Sequence, residues 1–204
     1  FTLQFAILPF FLSFPVFMKK LLFSALLPIL FLSANTLFAQ NYNLQLRSTL
    51  DFPGQTLANV SGFTQNGREY ALVGASLGLA IVEITNPNAP VLIVQIPGPD
   101  NLWKEIKTYS HYAYITSEGG QGLQIVDLSG LPGANLNSHF YTGDGIIADQ
   151  LDKIHSLHID TTRGFLYAYG GPLFNGGAKI FDLNSDPYNP VYVGKFDQLN
   201  YIHD

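Results

Sequence analysis

The sequence contains no cysteine, one methionine (Met18) and one tryptophan (Trp103) in 204 residues. Without cysteine there is neither a disulfide nor a thiolate metal site, so stability must come from a packed core. Charged side chains make up only 12 % of the chain, and none of the basic ones cluster into a run. That excludes the positive surface needed to follow a phosphate backbone or an anionic bilayer, and with it a nucleic-acid partner. After residue 40 no long segment places apolar residues at helical spacing, which excludes bundles and helical solenoids. Gly-x-Ser-x-Gly and His-Glu-x-x-His are both missing. "SEGGQG" (117–122) lacks the Lys-Ser/Thr pair and helix of a phosphate loop. "DLNSDPYNP" (182–190) lacks the glycine and distal glutamate of an EF-hand loop.

What the chain does have is a marked N-terminus. From Met18 it reads "MKKLLFSALLPILFLSANTLFAQ", two lysines followed by an apolar run and then small and polar residues before Ala39. This is the layout of a secretory signal peptide over 18–39, cleaved after Ala39. Residues 5–38 together are long enough for a transmembrane anchor. The signal peptide is preferred, because Lys19 and Lys20 split the apolar run where a positive n-region belongs. Residues 1–17, which precede the methionine, are expected to be an upstream segment that need not belong to the natural protein. Removing residues 1–39 takes away Lys19 and Lys20 alone among the charges, which leaves eight basic and fifteen acidic side chains, a net charge of −7.

The remaining sequence repeats. "YALVGASLGLAIVEITNPNAPVLIVQI" (70–96), "YAYITSEGGQGLQIVDLSGLPG" (112–133) and "FLYAYGGPLFNGGAKIFDLNSDPYNPVYVGKF" (165–196) share one order of features. Each has a strand led by Tyr or Phe, a glycine-containing turn, a strand of the kind IVEI, IVDL or IFDL, and a polar or proline turn. Ile81 and Ile125 are 44 residues apart, Ile125 and Ile180 are 55 apart. A period of this length built of short strands predicts β-propeller blades. Four strands are expected per unit: 57–63, 69–74, 78–84 and 90–96; 103–109, 112–117, 122–128 and 138–142; 154–159, 165–169, 178–183 and 190–196. Gly119-Gly120, Arg163-Gly164 and Gly176-Gly177 mark hairpins, and Asn86-Pro87 and Asn189-Pro190 stop strands.

"LQLRSTLDFPG" (44–54) reads like "APVLIVQIPGP" (89–99), an outermost strand leading into a blade, and "YIHD" (201–204) reads like the start of an inner one. The expected fold class is therefore all-β, a partial β-propeller of about three full blades plus edge strands of two more. It would occupy residues 40–204, preceded by the signal helix and truncated at the C-terminus.

The strands "LAIVEITNPNAPV", "LQIVDLSGL" and "AKIFDLNSDPYNPV" resemble the LVIVD repeat. The longer pattern "NGREYALVGASLGLAIVEITNPNAPVLIVQIPGP…WKEIKTYSHYAYITSEGGQGLQIVDLSGL…HSLHID…YIHD" resembles the choice-of-anchor B family of exported bacterial proteins. The likeness covers residues 44–204 and is most specific over 66–131. It implies a secreted or surface propeller whose C-terminal sorting signal varies between members, with no activity common to the family. Membrane contact is then expected only through the signal peptide or a missing C-terminal anchor.

Aligning the units on their second strands places Asn59, Glu105, His155 and His203 at equivalent positions of the innermost strands, with Asp204 beside the last. In a propeller those strands line the channel, so an acid and two imidazoles from different blades converge. Such a set suits a divalent metal, with Glu105, His155 and His203 as candidate ligands, or an acid–base pair. A polar ring that holds only itself and buried water is the preferred reading. His111, His139 and His158 are expected to be solvated or locally bonded. Glu83, Asp127 and Asp182 are expected to accept hydrogen bonds from the adjoining turns. Trp103, Tyr109, Tyr112 and Tyr114 could stack on a sugar, but packing between blades is preferred for them.

Two functions stay open. One is a non-catalytic binding or adhesion scaffold for an extracellular ligand or cell-surface component. The other is a propeller hydrolase or lyase with a channel metal. The scaffold is preferred.

Overall fold

Residues 44–203 are described by the structure, a computed structural model, and from Arg47 onward the chain forms one compact unit. The expected upstream segment, the signal peptide and Asp204 lie outside the described residues.

Twelve strands form three four-stranded antiparallel sheets, each a simple up-and-down meander. The first sheet is β1 (Leu57–Gln65), β2 (Arg68–Ala75), β3 (Gly78–Glu83) and β4 (Val91–Pro97). The second is β5 (Ile106–Tyr109), β6 (Tyr112–Ile115), β7 (Leu123–Asp127) and β8 (Ser138–Tyr141). The third is β9 (Ser156–Asp160), β10 (Phe165–Tyr169), β11 (Ala178–Asp182) and β12 (Val191–Phe196). Among the described residues only two short 3-10 turns, at Gly145–Ile147 and Leu173–Gly176, interrupt the all-β pattern.

The sheets stack as blades because the middle one is apolar on both faces. Tyr114, Leu123 and Ile125 pack with Leu157, Ile159, Leu166, Ala168 and Phe181 of the third sheet. Their neighbours along the strands, Ala113, Ile115 and Val126, pack with Tyr70, Leu72, Leu79 and Ile81 of the first. Side chains alternate faces along a strand, so one run such as Leu123–Asp127 feeds two interfaces and reads as continuously apolar. Gln124 turns its amide across to the Pro97 carbonyl of the first sheet at 2.9 Å. Where neighbouring sheets approach, their first strands meet, β1 beside β5 and β5 beside β9. The first strands are therefore innermost, as a propeller requires.

The repeat has a feature that the strand pattern alone does not show. Each third strand is preceded or opened by glycine, Gly78, Gly122 and Gly177. A Cβ at any of the three would fall on a carbonyl of the fourth strand, that of Ile96, Tyr141 or Phe196. Those carbonyls belong to the residues paired with Leu79, Leu123 and Ala178, so the clash recurs at one register. The glycine lets the fourth strand begin its ladder against the third with nothing between them. The fourth strand slips by one residue after Ile81 in the first blade and after Ile180 in the third. Such a bulge sharpens local twist.

Several expectations need correction. Residues 44–54 do not form a strand; Arg47 Nε donates to Asn88 Oδ1 at 2.9 Å and Ser48 Oγ donates to the Pro87 carbonyl. Residues 201–203 are likewise outside any sheet, with Ile202 N donating to the Gly176 carbonyl. Of the repeated acids, Asp127 and Asp182 do accept from the turn, from Ser129 N and Asn184 N. Glu83 does not. Arg68 on the adjoining strand β2 donates from Nη1 to both of its oxygens, at 2.8 and 2.9 Å, so its carboxylate is turned to a charged partner and not to the turn.

His139 is also not solvated. It lies between the second and third blades with its ring edge-on to Tyr188 at 4.3 Å, and both ring nitrogens are buried without a hydrogen-bond partner. Burial pushes its pKa below the ordinary value of 6.5, against a weaker upward pull from Asp186. A histidine whose folded pKa is depressed contributes stability that is complete above the unfolded value and lost as pH falls through the folded one. The protein should therefore lose stability on going from pH 7.5 to 5.5, by at most about 1.4 kcal/mol per pH unit from this group. His139→Leu should lose less over the same interval in urea denaturation. Equal losses in the two proteins would contradict the assignment.

Among the described residues two lysines are buried. Lys104 donates to the carbonyls of Ser76, Pro99 and Asn101, tying the first blade to the segment entering the second. Lys179 donates to the Gly170 carbonyl, and burial brings its pKa down to about 8.

Candidate functional site

The inner strands bring the expected residues to one place. Asn59, Glu105, His155 and His203 line a single cleft of about 370 Å³, together with Ala58, Trp103, Lys104 and Ser156. Asn59 lies in β1 at an irregularity in its pairing between Leu57 and Val60. Glu105 and His155 each precede their strand by one residue, so both strands begin later than the expected residues 103 and 154. For β5 the reason is Thr116. Its buried hydroxyl accepts from Glu105 N at 2.9 Å and donates to the His155 carbonyl at 3.1 Å, replacing a ladder bond and pinning the starts of two inner strands to each other.

Glu105 is engaged on both oxygens. One accepts from Leu157 N at 2.8 Å, bridging the second blade to the third, and the other pairs with Lys107 at 2.8 Å. Both oxygens are thus engaged by the chain itself, which leaves Glu105 poorly placed to be a metal ligand. Among the described residues no three His, Cys, Asp or Glu side chains come together in a metal-holding group.

The histidines differ. His155 Nε2 faces His203 Nε2 at 2.8 Å, their ring centroids 4.2 Å apart. Behind His155, Glu118 Oε1 lies 2.6 Å from Nδ1. Ser156 Oγ donates to the His203 carbonyl and holds that segment against β9. Sequence reasoning missed Glu118, which stands 37 residues before His155 in the loop joining β6 to β7. The strands are antiparallel, so that loop occupies the end of the second blade where β9 begins. An acid in "SEGGQG" is therefore a neighbour of the next blade's entry, and a search for phosphate-loop chemistry does not look for that. The loop is fixed by Asp152, whose side chain accepts from Gln121 N and whose carbonyl accepts from Gly122 N.

The aromatic group separates. Tyr114 is buried and donates to the Pro187 carbonyl, and Tyr112 packs on Tyr188 at 5.6 Å, so these two are packing between blades. Trp103 is not. It is 54 % exposed on the wall of the cleft, its ring 6.4 Å from that of His155. Tyr201, also exposed, stands 6.1 Å from the same imidazole. His111 is locally bonded, to Ser110 and over Tyr112, and His158 is exposed on β9.

Three four-stranded meanders, stacked with their first strands together and a polar cleft where those strands begin, define a partial β-propeller. The LVIVD repeat matches residues 68–96, which run from β2 into β4, and residues 104–142, which span the second blade. The third blade repeats their strand order, glycine and acid. A comparison with curated proteins finds no match.

Proposed function

We propose that this chain is part of an exported propeller of the choice-of-anchor B kind, acting as a non-catalytic scaffold that binds an extracellular or cell-surface ligand at the inner-strand cleft. One observation carries the reading: Asn59 of β1, Glu105 and His155 at the starts of β5 and β9, and His203 of the C-terminal segment line one hollow that also holds an exposed tryptophan. A concave site with a few convergent polar groups and an aromatic wall is the usual form of a ligand site. The signal-peptide layout of residues 18–39 and the acidic remainder support export and argue against nucleic acid.

The test is retention of the purified protein on isolated cell-envelope polysaccharide. Trp103→Ala, at an exposed position, should weaken retention by roughly 30-fold, the effect of losing an aromatic anchor worth about 2 kcal/mol. Retention equal to that of the unaltered protein would contradict the site.

A further inference from the structure

The pair His155–His203 and its acid partner Glu118 point to a more specific chemistry for the same cleft. A carboxylate can only accept, so the contact with Glu118 places the His155 proton on Nδ1 and leaves Nε2 with its lone pair. That lone pair accepts from His203 Nε2–H at 2.8 Å, so one proton lies between the two imidazoles, and a metal ion bound there would displace it. A carboxylate on one ring nitrogen is how proteins orient a metal-bound histidine, fixing its tautomer. The backbone that carries the ring is fixed as well: His155 N donates to the Tyr169 carbonyl, its carbonyl accepts from Thr116, and only 16 % of its side chain is exposed.

We propose that His155 and His203 form a two-imidazole site for a borderline divalent cation of the zinc, copper and nickel group, with Glu118 as a positioning residue. Imidazole selects these ions over calcium and magnesium, which require oxygen donors. Glu105 is not part of the site, because Leu157 and Lys107 occupy its oxygens. With two protein ligands the ion keeps open positions toward the cleft, where water or oxygen atoms of a ligand would complete its shell. The inference rests on reading the cleft as the ligand site and adds the ion through which a ligand is held.

The chain supplies its own probe. Trp103 is its single tryptophan and stands 6.4 Å from the His155 ring. The full chain, stripped with chelator, is titrated with copper(II) while tryptophan fluorescence is followed. The expected result is quenching that saturates at one ion per chain, is competed by zinc(II), and is untouched by calcium(II) or magnesium(II). His155→Ala and His203→Ala should each abolish the saturable phase. Glu118→Gln should keep the fold, as judged by near-ultraviolet circular dichroism, and weaken copper binding by about 10–100-fold. The copper resonance spectrum of that variant should still show splitting from two imidazole nitrogens, which separates positioning from ligation and does not depend on the histidine variants folding. Quenching that never saturates, or that survives both histidine substitutions, would overturn the proposal. Polysaccharide retention without saturable quenching would sink the metal site alone, and quenching without retention would sink the binding reading alone.

Discussion

Phe181→Ala lowers the unfolding free energy by about 3–5 kcal/mol, the cost of removing a buried aromatic ring from a core that cannot close over the gap. Phe181 is fully buried in β11. It meets Tyr141 of the second blade edge-on, with ring centroids 5.6 Å apart and planes at 88°, and Tyr192 of its own blade at 6.0 Å and 65°. These are the offsets and angles that aromatic rings prefer. The same cluster holds Ile125, Leu123 and Leu166, so the cavity would lie in the interface between blades and not within one sheet. Urea denaturation followed by circular dichroism measures the loss. A change under about 1 kcal/mol would mean that the two blades are not packed as described.

Gly122→Val costs about 2–5 kcal/mol, for two separate reasons. The backbone there has φ +79°, a region that a β-branched side chain enters only with strain. A Cβ would also fall on the carbonyls of Tyr141 and Leu151, both backbone atoms that cannot swing aside as a side chain would. Relief would require β8 to move off β7, breaking the Leu123–Tyr141 pairing that opens the ladder. Gly145→Ala, which has a positive φ but nothing near its Cβ, is the control for strain without overlap. It should cost no more than about 2 kcal/mol. If the two variants melt together, the close approach of the fourth strand is not what requires glycine at this register.

These glycines show where the sequence is legible and where it is not. The strands could be read closely, because apolar alternation and Gly or Asn-Pro punctuation are local signals: β10 (Phe165–Tyr169) falls where expected, and most other strands agree to within a residue or two. The early end of β5 escapes the pattern because the Thr116 hydroxyl takes the place of a backbone partner for Glu105 N, which no pattern of apolar residues reveals. That Asn59, Glu105 and His155 would share a space followed from one topological fact, that equivalent positions of first strands face the axis; His203 reaches the same cleft from a segment outside any sheet, held by Ser156. What each does there did not follow. Glu105 was drawn away by Leu157 N, and Glu118 was brought in by a loop, both through contacts tens of residues apart. Trp103 and Tyr112 belong to one aromatic stretch, yet one is exposed at the cleft and the other is packed on Tyr188, since only the strand residue is forced into an interface. His139 looked like a surface residue until the turn carrying Tyr188 closed over it.

The account depends on the first strands of successive blades meeting at one axis. The absence of native cysteine makes a direct measurement possible: intramolecular crosslinking of introduced cysteine pairs with a short, rigid bis-maleimide. Asn59→Cys with His155→Cys joins the first blade to the third across the cleft that both residues line. Leu92→Cys with Val193→Cys places the pair on the exposed fourth strands of the same two blades. The account predicts rapid crosslinking within one chain for the first pair and none for the second. Crosslinking of the fourth-strand pair, with the inner pair unreactive, would contradict it.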